Sequence, residues 1–176
     1  MPNWCSNSMT VTGPEADIKK FKKYAEGYGA AWDGQKPPHD DGHRYLLDLN
    51  KFVPIPLEVL TNSIDCRSAY RSGGYDWCVT NWGTKWNCLD VTVEIINPSR
   101  LDYYFVTAWS PPSTKVLIAM GEKFPTLKFL LDYIEEGASF EGTMIVENGS
   151  LIGNSCHDIV DEPKKPDDVR EADIHG

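Results

Sequence analysis

Residues 81–87 read Asn-Trp-Gly-Thr-Lys-Trp-Asn, with Tyr75 and Trp77 just upstream. Aromatic faces stack on bases, guanidinium or ammonium groups, at about 1–3 kcal/mol per base. Lys85, between Trp82 and Trp86, adds a charge toward a phosphate, and Asn81 and Asn87 offer hydrogen-bonding edges. Trp82, Lys85, Trp86, Asn81, Asn87, Trp77 and Tyr75 are therefore the candidate binding residues, with the composition of a nucleotide-sized pocket. The same residues also suit a plain structural role. Gly83 fits the left-handed position that closes a short helix over YDWCVTNW, and tryptophan is the largest core plug available. Trp82 and Trp86 would then fasten that helix to a sheet. The structural reading is preferred; Lys85 and the two asparagines keep the binding reading open. Trp109, just before Ser110, is expected to pack as a staple at a helix start.

Other chemistry finds little support. There is no G-x-S-x-G, and the Gly-Gly of RSGGYD lacks the Lys-Ser/Thr of a phosphate loop. A cysteine nucleophile needs a histidine facing it. His157 adjoins Cys156, but sequence neighbours seldom face one another. His39 and His43 are four apart in the loop PPHDDGH rather than on a helix, so no metal site is expected. Glu135–Glu136 and Asp40–Asp41 stand in turn contexts where acids are common. No catalytic residue, metal or cofactor is assigned, and a small enzyme with an unrecognised site stays only as an alternative.

The five cysteines are odd in number and form no C-x-x-C, which fits reduced thiols in a cytosol. The formal charge of −9 disfavours phosphate backbones. A single-stranded nucleic-acid module is nevertheless an alternative, because Tyr103, Tyr104, Phe105, Phe129 and Tyr133 fall in strand-like segments. No apolar run reaches the roughly 20 residues of a membrane span, and MPNWCSNSMT is unlike a secretory signal. A cytoplasmic place is expected.

These residues need elements to position them. NWCSNSMTVTG alternates as a strand and ends at Gly13-Pro14, where a helix with Ile18, Phe21, Tyr24 and Ala25 on one face begins. RYLLDLNKFV is read as a second strand, and 62–74 as an irregular insertion. DVTVEII and LDYYFVTAW form a hairpin across Asn97-Pro98-Ser99. A helix capped by Ser110, with Pro111 and Pro112 in its first turn, buries Val116, Ala119, Met120 and Phe124. TLKFLLDYI and GASFEGTMIVENG give two more strands, and the pattern fades after Gly153. The order predicts an α+β, ferredoxin-like antiparallel sheet with two main helices on one face, a Trp-rich insertion and an extra hairpin strand. One domain spans 1–157, with the insertion at about 57–89, and 158–176 is an acidic tail expected to be disordered.

MPNWCSN, VTGP, DLNKFVPIP, NWGTKWN and TAWSPP, in that order over about residues 1–150, resemble the Api92-like family, related to the YubB ferredoxin-like domain. Its members are small proteins of bacteriophages and plasmids. The resemblance implies a ferredoxin-like fold and a mobile-element origin, and no particular biochemistry. By analogy of origin, the expected function is a non-catalytic accessory protein that acts by binding, in host interaction or counter-defence. Its expected partner is a host protein or a nucleotide-like small molecule, with self-association left open.

Overall fold

The computed structural model describes residues 3–30, 42–62 and 75–159. They build one six-stranded antiparallel sheet and four α-helices. The first strand, β1 (Trp4–Thr12), alternates as its sequence requires: Cys5, Asn7, Met9 and Val11 are buried, while Trp4, Ser6, Ser8 and Thr10 face the other way. Gly13 and Pro14 then turn the chain into α1 (Glu15–Ala25), which buries Ile18, Phe21 and Ala25. Its lysines face solvent in local ion pairs, Lys19 with Glu15 and Lys20 with Asp17.

The expected strand over RYLLDLNKFV does not form. Tyr45 makes a single bridge to Gly27, and Leu49–Lys51 is one 3-10 turn. The buried carboxylate of Asp48 explains this, because it accepts hydrogen bonds from the amides of Gly29 and Asn50. Backbone bound to a side chain in this way is not available to a ladder. The chain continues through α2 (Leu57–Asn62) and α3 (Tyr75–Trp82). The irregular insertion expected at 62–74 and the acidic tail lie almost wholly outside the described residues.

The hairpin is present as β2 (Leu89–Asn97) and β3 (Arg100–Ala108). The following helix, α4 (Thr114–Lys123), starts later than expected, with Ser113 and not Ser110 before its first residue. Ser110 is otherwise engaged, its hydroxyl donating to the Gly83 carbonyl. Pro111 and Pro112 therefore precede the helix. β4 (Lys128–Glu135) and β5 (Phe140–Glu147) are as expected. An additional strand, β6 (Ser150–Asp158), extends into the region where the pattern fades. It is the outer strand and is exposed on both faces, so burial imposes no alternation on its sequence.

The strand order is β2-β3-β1-β4-β5-β6. The first four give the ferredoxin-like arrangement, and β5 and β6 continue it as a meander. The core lies on one side, under α1 and α4. There Phe21 stacks on Phe52 and meets Tyr103, Phe124 and Phe129 edge-on. The other side of the sheet carries no described helix.

Candidate functional site

The segment 81–87 is divided between core and surface. Trp82 ends α3 and is fully buried; its indole N–H donates to the Val53 carbonyl at 2.7 Å, and Trp77 meets it edge-on at 5.8 Å. Gly83 then takes φ +78°, and a Cβ there would come within 2.9 Å of the Ser113 nitrogen. Thr84 is buried and accepts the Ala108 amide at 3.1 Å. Asn87 is buried as well. Its Oδ1 accepts the Leu49 amide at 2.9 Å, and its Nδ2 donates to Asp48 at 2.7 Å. Asn81 donates to the Trp77 carbonyl and accepts from the Lys115 ammonium at 2.5 Å. These side chains tie the corner to its surroundings: Trp82 and Asn87 to loop 42–62, Thr84 to the end of β3, and Asn81 to α4.

Lys85 and Trp86 are only half-buried. The Lys85 ammonium lies 4.9 Å from the Trp86 ring centre and 4.8 Å from that of Trp109, a cation held between two aromatic faces. Trp4 lies 6.1 Å from Trp86, and Trp4 and Trp109 are each about two-fifths exposed. Trp109 is therefore not the buried staple expected; its φ of +73° turns it outward onto Lys85. Of the candidate residues, Trp82 and Asn87 are enclosed, while Asn81, Trp77, Lys85 and Trp86 keep some surface. Tyr75 opens α3, and its side chain lies outside the described residues.

A further feature was not singled out from sequence. On the helix-free side the sheet forms a concavity of about 700 Å³, lined among others by Ser6, Ser8, Tyr104, Val106, Asp132 and Ile134. Strand parity places these side chains. Ser6 and Ser8 alternate with buried Cys5, Asn7 and Met9, and Asp132 alternates with buried Leu131 and Tyr133. Asp90 joins the lining because β2 carries an extra residue between Leu89 and Thr92, which re-aims its side chain. Asp132 accepts a hydrogen bond from the Thr143 hydroxyl at 2.6 Å, and Glu141 lies 3.1 Å from His157.

The face is acidic where it is concave. Among the described residues its strands carry two permanent cations, Arg100 and Lys128, which sit at the far end and are paired with Asp102 and Glu147. The Arg100 guanidinium holds the Asp102 carboxyl below the usual aspartate range. No ion pair to a lysine or arginine is formed by Asp90, Asp132 or Glu141 among the described residues. Of the five aromatic residues that a nucleic-acid-stacking sheet would use, Tyr103, Phe105, Phe129 and Tyr133 are buried on the helix side, and Tyr104 alone is exposed on the open face.

The profile of the ferredoxin-like domain in Api92-like protein matches residues 81–172. The chain belongs to the Api92-like family. Among solved structures, the crystal structure of protein Api92 from Yersinia pseudotuberculosis matches with a TM-score of 0.68 at 9% identity, over 93% of this chain and all of that one. At that identity the likeness shows a shared fold. No curated protein matches the sequence.

Elsewhere in the Api92-like chain several titratable groups are tied into the core or a turn. Burial pushes the Cys5 and Cys78 thiols up to about 12, and raises Cys88 as well, with the Asp48 charge adding to it. Cys156 and His157 lie on opposite faces of β6, opposite Gly142 and Glu141 respectively. Glu135 is buried and ties the β4–β5 turn by accepting the amides of Gly137 and Ala138. Among the described residues no three His, Cys, Asp or Glu side chains group as metal ligands, and no helix is long and apolar enough to cross a membrane. His39 lies outside the described residues, and His43 packs edge-on against Tyr45.

Proposed function

We propose that this Api92-like chain is a non-catalytic accessory protein of a mobile genetic element, and that it acts in the host cytoplasm by binding a host component. The observation that carries the reading is the one-sided sheet: the helices cover one face, and the other presents a preformed concavity. Between the two partner types expected from sequence, the acid-lined concavity favours a host protein over a nucleotide, whose phosphates the carboxylates would repel. The mobile-element origin rests on the resemblance of NWGTKWN, TAWSPP and the companion motifs to phage and plasmid proteins.

The test is a photo-crosslinking amino acid placed at Tyr104 in the concavity and, separately, at Lys23 on α1, with both variants exposed to host lysate. The reading expects a discrete host-protein adduct from position 104 and none from position 23. Equal labelling from both positions, or adducts from position 23 alone, would overturn it.

A further inference from the structure

We infer that the open sheet face takes an extended, basic segment of its partner protein, with lysine or arginine at alternate positions. This rests on the binding reading above and adds the chemistry of the partner. Three acids line the concavity on different strands: Asp90 on β2, Asp132 on β4 and Glu141 on β5. In the order β2-β3-β1-β4-β5, Asp90 and Glu141 are four strand steps apart, about 19 Å at about 4.8 Å per step. Carboxylates so dispersed do not converge on one ion, and no metal-ligating group of three occurs among the described residues. They match a ligand whose positive charges are themselves dispersed. An extended chain presents every second side chain to one side, about 7 Å apart, so about six residues cover the distance with cations facing the sheet.

The floor between the acids supports the same occupant. Tyr104, Val106 and Ile134 lie between them, and Tyr104 is two-fifths exposed. Lysine and arginine carry long apolar stems below their charged heads, and such stems pack on apolar surface while the heads reach carboxylates. Arginine also stacks on an aromatic face such as that of Tyr104. A linear polyamine also spreads its charges along methylene segments, but it has no planar guanidinium to stack on Tyr104 and no apolar side chains between its cations. A nucleic acid would meet carboxylates in place of cations.

The test is fluorescence anisotropy on the full chain with a labelled peptide of alternating arginine and valine. Controls are its glutamate–valine counterpart, spermine as competitor and an oligothymidine strand. Two charge-matched double variants are compared, D132N/E141Q in the concavity and D76N/E122Q on the helix side. The amide oxygens introduced by D132N/E141Q can still accept the bonds from Thr143 and His157, and thermal unfolding verifies that both variants fold. The expected result is binding of the basic peptide alone, weakened about tenfold by D132N/E141Q and less than about twofold by D76N/E122Q. Equal weakening by the two variants would reduce the effect to net charge and overturn the proposal, as would spermine competing equally at equal charge, or binding of oligothymidine. No peptide binding together with a host adduct from position 104 would overturn this inference and leave the binding reading standing. Peptide binding with no host adduct would do the reverse.

Discussion

The two faces of the sheet are made by the same strands and have opposite characters. On β4, Phe129, Leu131 and Tyr133 are buried beneath the helices, while Asp132 and Ile134, of the opposite parity, line an open concavity. On β1, Met9 and Val11 enter the core and Ser6 and Ser8 do not. On the covered face polar groups find partners inside the fold, Asn87 with Asp48 and backbone and the Trp82 indole with the Val53 carbonyl, while the Tyr103 hydroxyl is buried without one among the described residues. The open face keeps acids with no lysine or arginine beside them among the described residues. Stability is therefore expected to depend on one face, and recognition on the other.

The comparison can be broken most strongly at Trp82. Trp82→Ala should cost about 3–5 kcal/mol in urea denaturation, because it removes a fully buried ring and orphans a carbonyl. A loss below about 1 kcal/mol would mean that the α3 corner is not core. Next comes Asn87→Ala, which removes partners from the buried Asp48 carboxylate and the Leu49 amide. About 2–3 kcal/mol is expected in the same assay. On the open face, Tyr104→Ala should change unfolding free energy by under about 0.5 kcal/mol while reducing partner capture. A large stability loss there would erase the distinction between the faces.

The smallest effect concerns pH. Arg100 lowers the Asp102 carboxyl in the folded state, so its stabilising contribution is complete above the ordinary aspartate value of about 3.9. That contribution is lost as pH falls through the lowered folded value. The thermal midpoint of the protein should exceed that of Asp102→Asn at neutral pH, and the gap should close in strong acid. The half-exposed guanidinium keeps the gap small. A gap that widens on acidification would contradict the pairing.

The covered face is the more readable one in sequence. Alternation in NWCSNSMTVTG and TLKFLLDYI, the Asn97-Pro98-Ser99 turn and the helix stripe from Ile18 to Ala25 each carry a period imposed by burial. Where burial imposes no period, reading fails. β6 is exposed on both sides and is not anticipated, and RYLLDLNKFV resembles a strand because its apolar residues are buried around a 3-10 turn. The open concavity escapes for a related reason. Its residues come from six different strands, and no local spacing announces Ser6, Asp90, Asp132 and His157 as neighbours. One signal is present: an aspartate inside the apolar run FLLDYI must point away from the core that the run builds. In NWGTKWN the residue types draw attention correctly to a corner of the fold. They do not show that Trp82 and Trp86, four residues apart, go to different environments, because Gly83 reverses the chain between them.

The central claim is that recognition belongs to the helix-free face. Amide chemical-shift mapping tests it most directly, with the isotope-labelled chain titrated with the alternating arginine–valine peptide. The account predicts that shifts concentrate at Ser6, Ser8, Tyr104, Asp132 and Thr143, with α1 and α4 unchanged. Shifts centred on α1, on α4 or on the Trp86–Trp109 corner, with the sheet face silent, would contradict it.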